Sequence, residues 1–330
     1  MGKTVAAIIG MLVLIFDSRS AFIGVQEGID LCLRAVIPSI FPMMFLARLL
    51  TSHHWNCPKW LSRLFRLPEN SQALLIASIL SGYPVGAQLV GDAYKSHRLN
   101  DADARRMVCA CSNCGPAFLF GMTAQLFGKI WIPWVLWGIL LFSSAITGWL
   151  MPGTPGVYRS GLKNKTNISQ NLAASVKTMG IVCGWVVMFR VILKLLKRWI
   201  IGRLPMLYQV ALGGLLELSN GCSDLSQMEN MGLKFVLCGL FMSFGGICVF
   251  LQILGVAQDV DMNAYFPGKI FQSGICILLT YFVQLFFFSP AEKCKLPLWS
   301  IAVFLLITLL AAYFLRKLKN SSGILSTLGV

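Results

Sequence analysis

The sequence predicts an all-α polytopic membrane protein, and three observations carry that prediction. Hydrophobic residues fill 56% of the 330 positions and charged residues only 12%, about half the charged fraction of a soluble domain. The apolar residues fall in blocks of about 20, long enough for a helix to cross the hydrocarbon core. Several blocks are broken by glycine, proline and asparagine in an order that recurs in the two halves of the chain. The blocks run from end to end and leave no stretch that reads as a separate soluble domain.

The opening MGKTVAAIIGMLVLIF has a positive charge and an apolar core, but no small-x-small cleavage site follows. Residues 1–29 therefore read as an N-terminal membrane helix, with its apolar part at 3–25. The first repeat covers 30–150 and opens with a span at 30–50. Within that span, VIPSIFP (36–42) carries Pro38 and Pro42, each of which removes a helix hydrogen bond. Residues 71–91 are interrupted by SGYPVGA (81–87) and read as a re-entrant hairpin. Residues 104–127 are interrupted by SNCGPAF (112–118) and read as a broken helix, and a clean span at 130–150 closes the half.

Residues 151–172, rich in Gly, Lys and Asn, read as a cytoplasmic linker. The second repeat, 173–289, follows the same order. A span at 173–196 precedes a hairpin at 205–223, which holds Gly213, Gly214 and then ELSNG (217–221). A broken helix at 231–255 carries SFGG (243–246), and a span at 267–289 ends the repeat. Leu67-Pro68 aligns with Leu204-Pro205, and Gly115 with Gly246. A last membrane helix and a basic tail occupy 290–330.

If each hairpin re-enters and each broken helix crosses, each half crosses three times and the halves are inverted. With the first and last helices this predicts eight crossings and both termini inside. Arg316, Lys317 and Lys319 agree, as do basic loops at 51–66, 95–106 and 151–177. The cluster Lys194, Lys197, Arg198 and Arg203 falls outside and disagrees.

A net charge of +15 would suggest nucleic acid in a soluble protein. Here the bases sit in short clusters between apolar blocks: Lys59, Arg63 and Arg66, then Lys95, Arg98, Arg105 and Arg106, then Arg159, Lys163 and Lys165. Anionic headgroups of the lipid bilayer are sufficient partners, and nucleic acid is not expected. Of the 11 cysteines, Cys32, Cys183, Cys238, Cys248 and Cys276 lie in apolar blocks as small hydrophobes. Cys109, Cys111 and Cys114 include a C-x-x-C pair, but no histidine or second pair completes a metal or redox site. His53, His54 and His97 lie in basic loops, and Asp92, Asp101 and Asp103 are expected to pair with nearby bases. No nucleophile with a neighbouring base is evident, so no enzyme activity is expected.

The breaks are the candidate site. A helix broken at membrane depth frees N–H and C=O groups that protein, water or a solute must satisfy. Half-helix starts can hold an anionic oxygen, and half-helix ends a cation or a donor. Gly82 and Gly86 permit a tight turn, with Tyr83 placed to stack on a ring or donate its hydroxyl. Glu217 is the acidic residue within 205–223. A carboxylate there binds a proton, a sodium ion or a solute cation, or else caps a half-helix. Ser112, Asn113, Gly115, Ser219, Asn220, Ser243 and Gly246 complete the expected substrate-binding set, and Gln252 could line the same cavity. No cofactor is expected. A coupling proton or sodium ion, and assembly with a second copy, stay open.

VIPSIFP, SGYPVGAQLVGDAY (81–94), the 104–118 stretch, ELSNG and SFGG together resemble the sporulation integral membrane protein YlbJ family, also called SpoVV. That family lies within the group carrying the nucleoside-recognition, or Gate, domain. The resemblance implies a fold similar to concentrative nucleoside transporters, with inverted repeats and two hairpins. It also implies export of dipicolinic acid from the mother cell towards the forespore. Two positions depart from the family pattern: Gln88 stands where Lys is common, and Ser112-Asn113-Cys114 where two asparagines precede Gly-Pro. The sequence thus points to a transporter of a small organic anion in a bacterial cell membrane. A nucleoside or nucleobase transporter and a non-transporting sporulation scaffold are the alternatives.

Overall fold

The structure is a computed structural model that describes residues 2–52, 58–151, 154–159 and 167–327. Its regular elements are helices, and an isolated bridge between Glu69 and Val157 is the β pairing among the described residues. Among those residues, 7 helices are long and apolar enough to cross a membrane. The chain begins with α1 (Gly2–Phe16), α2 (Ser18–Leu31), a π-helical turn (Cys32–Val36) and α3 (Ile37–Ser52). A short α4 (Lys59–Leu64) leads to the paired half-helices α5 (Gln72–Ser81) and α6 (Val85–Lys95). The broken span α7 (Asp101–Cys111) and α8 (Pro116–Phe127) and the span α9 (Trp131–Leu150) follow.

The second half repeats that order of elements. A long α10 (Ile168–Trp199) precedes the paired α11 (Met206–Leu216) and α12 (Leu218–Asp224). Then come the broken span α13 (Met231–Phe244) and α14 (Gly246–Val256), the span α15 (Tyr265–Phe287) and the terminal α16 (Leu298–Thr327).

Three local features differ from the sequence expectation. The first two segments are not divided near residues 26–29; the helical chain runs from Ser18 to Ser52 and is broken instead at Asp17. The Asp17 carboxylate accepts the Ser20 N–H (3.3 Å), the Arg198 guanidinium (2.8 Å) and the Trp199 indole N–H (3.0 Å). Arg198 and Trp199 lie about 180 residues away and give the bend its anchor. The apolar part of α1 is then only Ala7–Phe16, too short for a span, which is why 7 crossing helices are found rather than eight.

Second, Pro38 and Pro42 do not interrupt the span. The π-helical turn just before them widens the helix, and the Ser39 hydroxyl donates to the Ala35 (2.6 Å) and Val36 (3.2 Å) carbonyls. Third, α11 passes through Gly213 and Gly214 unbroken and stops at Glu217. Gly214 packs directly against the Gly221 backbone and the Phe241 ring, so these glycines bring helices together.

The broken spans form the centre of the molecule. The apolar windows of Asp101–Phe127 and Met231–Val256 are 67% and 72% buried, against 17% for Ser18–Thr51 and 17% for Trp299–Leu318. Those outer helices leave apolar side chains such as Phe22, Leu33, Leu309 and Phe314 facing outward, as a lipid-facing surface requires. Against the outer side of the core, α2 packs closely on α10. A Cβ at Gly24 or Gly28 would come within 2.9 Å of the Val191 or Val187 Cα.

Charges at the end of α10 are neutralised by acids on α2, at its N-cap and on α12. Lys194 pairs with Glu27 (2.5 Å), Lys197 with Asp224 (2.5 Å) and Arg198 with Asp17 (2.8 Å). Lys194, Lys197 and Arg198 of the basic cluster are therefore paired with acids outside α10. Asp92 meets Arg48 (3.5 Å) and Asp103 meets Arg106 (3.3 Å), but Asp101 accepts the Tyr94 hydroxyl (2.6 Å) rather than a cation. Within the linker, Gly156 N–H donates to Asp103 (3.1 Å) and Tyr158 N–H to the Glu69 carbonyl (2.8 Å). His53, His54, Lys163 and Lys165 lie outside the described residues.

At the opposite connections, Lys129 between α8 and α9 pairs with Glu292 between α15 and α16 (2.9 Å). This hydrogen bond, with two more from Ser289, holds the Glu292 carboxyl down to about 2 from its ordinary 4.5. A depressed carboxyl contributes stability fully above its unfolded value and loses it as pH falls through the folded one. The melting temperature of wild type should therefore exceed that of Glu292→Gln above pH 4.5, and the gap should close towards pH 2. Gly28→Leu should lower stability by about 1–3 kcal/mol through overpacking. Gly121→Ala, which meets open space, should leave the thermal unfolding curve unchanged.

Candidate functional site

Each short-helix pair ends in a tip that seats in the break of a crossing helix. In the first half, Gly82 closes α5 at φ 74° and donates to the Ser78 carbonyl (2.9 Å). The next N–H, from Tyr83, leaves its own pair and donates to the Asn113 carbonyl in the α7–α8 break (2.8 Å). A Cβ at Gly115 would sit 2.9 Å from the Ser81 carbonyl oxygen, so backbone lies on backbone here. In the second half, Gly246 in the α13–α14 break has φ 83°. A Cβ on it would come within about 3.2 Å of the Leu215 and Leu216 carbonyl oxygens, where α11 ends.

The two tips face one cavity. Its wall is built from the π turn and α3 (Val36, Ser39, Ile40), the first tip (Ser81, Tyr83), the α7–α8 break (Cys114 to Phe118), α10 (Val182, Val186), the second tip (Glu217 to Ser219) and α14 (Val249, Gln252). In this conformation it has a volume of about 30 Å³, room for water-sized molecules.

Two walls of the cavity differ in polarity. On one, Gly115 begins α8 with Pro116 at its first turn and no side chain caps it. The free N–H groups of such a start carry the positive end of the helix dipole. Beside it the Tyr83 hydroxyl is buried without a hydrogen-bond partner, next to the Cys114 thiol. On the other wall Glu217 caps α12. Its carboxylate accepts the N–H groups of Ser219 (3.0 Å) and Asn220 (2.7 Å) and is 2% exposed. The Gln252 amide donates to the Cys248 sulfur (3.3 Å).

Behind each wall lies a cation that sequence reasoning passed over. Lys269 on α15 donates to the Ser112 carbonyl, to Asn113 Oδ1 (3.1 Å) and to Gln272 Oε1 (2.8 Å). Arg190 on α10 donates to Asn220 Oδ1 and to Glu27 (3.0 Å). Both sit inside apolar segments, so the rule that marks Glu217, that an ionisable group at membrane depth is a functional hypothesis, marks them too.

Of the sequence-predicted residues, the cavity brings together Tyr83, Gly115, Glu217 and Ser219, with Gln252. The others lie outside its wall. Gly82 and Gly246 form the seats described above, and Gly86 packs on the Cys111 carbonyl. Ser112 and Asn113 belong to the Lys269 network, in which the Asn113 amide donates to Ala110 O (2.8 Å) and Ser144 Oγ (3.0 Å). Asn220 turns to Arg190, and the Ser243 hydroxyl donates within its own helix to Leu240 O (3.0 Å). Among the described residues no group of three His, Cys, Asp or Glu side chains could hold a metal ion.

Crossing helices, paired half-helices and helix breaks gathered on a buried cavity define this chain as a multi-pass integral membrane protein. It is similar to the sporulation integral membrane protein YlbJ of Bacillus subtilis (strain 168), with 21% identity over 310 residues, covering 77% of this chain and 75% of that protein. This similarity supports the resemblance to the YlbJ family that the motifs suggested. No protein-family model matches the chain, and no solved structure matches it.

The seats have a direct test. Gly82→Ala puts a side chain at φ 74° and into the Gly115 backbone, so it should lower the melting temperature of the purified protein and raise thiol-reagent labelling of Cys114. Gly138→Ala, in open space, should do neither.

Proposed function

We propose that this chain is a secondary transporter or facilitator that moves a small organic anion through the cavity between the half-helix tips, with dipicolinic acid in endospore formation as the solute. The observation that carries the reading is the meeting of both tips and a free helix start at one buried cavity inside a multi-pass membrane protein. Backbone breaks at membrane depth are tolerated where they line a solute path, and paired half-copies with central breaks are a common transporter plan. The uncapped start of α8 and the Tyr83 hydroxyl supply donors suited to a carboxylate. The sporulation role comes from the similarity to the sporulation integral membrane protein YlbJ, and the mother-cell membrane is what the family resemblance implies. A cavity of about 30 Å³ must widen to admit such a solute, so the tips or the walls move during the cycle. An inverted relation between the halves would let two such openings alternate.

Glu217 on the opposite wall favours a second reading, a nucleoside or nucleobase transporter, because a carboxylate accepts from ribose hydroxyls and base amino groups. Uptake of labelled uridine against labelled dipicolinate separates the two.

A strain lacking the gene should make spores low in dipicolinic acid, with wild type restoring the content. Glu217→Gln, at equal membrane abundance, should restore markedly less, since an amide cannot accept both N–H groups that the carboxylate holds. Normal dipicolinate in the deletion strain would count against the dipicolinate reading.

A further inference from the structure

Lys269 is a charged side chain in the wrong place for ordinary structure. It is 1% exposed, on a helix long and apolar enough to cross the membrane. Its three acceptors are the Ser112 carbonyl, Asn113 Oδ1 and Gln272 Oε1, and no carboxylate is among them. The amide orientations are fixed by their other bonds. The Asn113 amide nitrogen donates to Ala110 O and Ser144 Oγ, and the Gln272 amide nitrogen to Asn113 Oδ1 (2.7 Å). Both oxygens therefore face the lysine nitrogen. Three acceptors match the three N–H donors of an ammonium, whereas a neutral amine would leave its lone pair against an oxygen. The geometry thus describes a cation steadied by neutral dipoles, including the carbonyl end of α7.

A lone cation in a low-dielectric interior attracts any anion that can approach it. Lys269 does not line the cavity and is connected to it through Asn113. Asn113, which Lys269 holds through its side chain, accepts the Tyr83 N–H through its backbone carbonyl. Tyr83 lines the cavity beside the uncapped start of α8, with its hydroxyl buried, 7% of the residue exposed, and unpartnered. The helix start and the Tyr83 hydroxyl therefore lie on one wall, and the buried ammonium lies behind it, one residue removed through Asn113. The Glu217 carboxylate on the other wall is already engaged by two backbone N–H groups.

We infer that Lys269 is a specificity-determining positioning residue: a fixed counter-charge behind the α7–α8 break that makes the Tyr83 wall select a solute carboxylate over a neutral group of the same shape. The inference rests on the cavity being the solute site of the proposed transporter.

The test compares pyridine-2,6-dicarboxylate with its uncharged isostere pyridine-2,6-dicarboxamide. Binding to the full-length protein in detergent is read by thermal shift titration, and uptake is read in proteoliposomes. Wild type should prefer the dicarboxylate, and Lys269→Gln should lose about tenfold or more of that preference, while Lys269→Arg retains most of it. Tyr83→Phe, which leaves the lysine network in place, should weaken dicarboxylate binding about threefold or more. A lysine that merely pins the break would lower stability in Lys269→Gln but leave the ratio between the two ligands unchanged, and that result overturns the inference. So does a wild-type protein without preference for the dicarboxylate, which remains decisive even if Lys269→Gln fails to fold. Uridine uptake without dicarboxylate binding would sink the inference and spare the transport reading; dicarboxylate binding without uptake of any solute would do the reverse.

Discussion

The backbone of a membrane-buried helix can stop only where something else satisfies its polar groups, and in this protein the interrupted elements satisfy one another. The Tyr83 N–H goes to the Asn113 carbonyl, and the Gly246 backbone seats against the end of α11. At the Gly82 and Gly115 contact a single added methyl group would collide with backbone. Everything else in the centre follows from these two seats. They bring the α8 and α12 starts to one cavity, and they place α3, α10 and α14 as its remaining walls.

Charge at membrane depth is handled by dipoles more than by ion pairs. Glu217 is held by two backbone N–H groups, and Lys269 by three oxygens from a carbonyl and two amides. Arg190 combines an ion pair to Glu27 with an amide oxygen of Asn220. Dipolar partners leave a charge able to act on a third party, because they do not cancel it. The cavity is lined by the Glu217 carboxylate on one side and by Tyr83 and the uncapped start of α8 on the other, with Lys269 and Arg190 behind its walls. Ion pairing is used instead at the end of α10, where acids from α2 and α12 and at the start of α2 neutralise a basic cluster.

Much of the architecture was legible in the sequence because the membrane imposes strong local rules. Block length and low charge place the crossing helices, and the paired interruptions at SGYPVGA and ELSNG mark the tips. Helix starts obey local chemistry as well: Glu217 precedes two residues whose N–H groups it can reach, and Gly115 precedes a proline suited to a first turn. Local rules failed where a distant partner overrides them. Asp17 bends the chain because Arg198 and Trp199 hold it, and Pro38 and Pro42 stay helical because a π turn and Ser39 absorb their cost.

The sequence by itself determined the class, the crossing segments from 104 onward, the order of elements in the two halves and the residues of the tips. These depend on hydrophobic length, on proline and glycine geometry and on side chains that act within a few residues. Only the tertiary structure decided which of the marked residues share a cavity. It sent Asn113 to Lys269 and Asn220 to Arg190, left Tyr83 with a free hydroxyl, and turned Gly82 and Gly246 into seats. Those outcomes depend on contacts between separate elements, from Arg190 with Asn220 at a separation of 30 to Lys269 with Asn113 at 156. A one-dimensional pattern carries no distance of that kind, so the polarity of the cavity walls emerges only when the halves pack together.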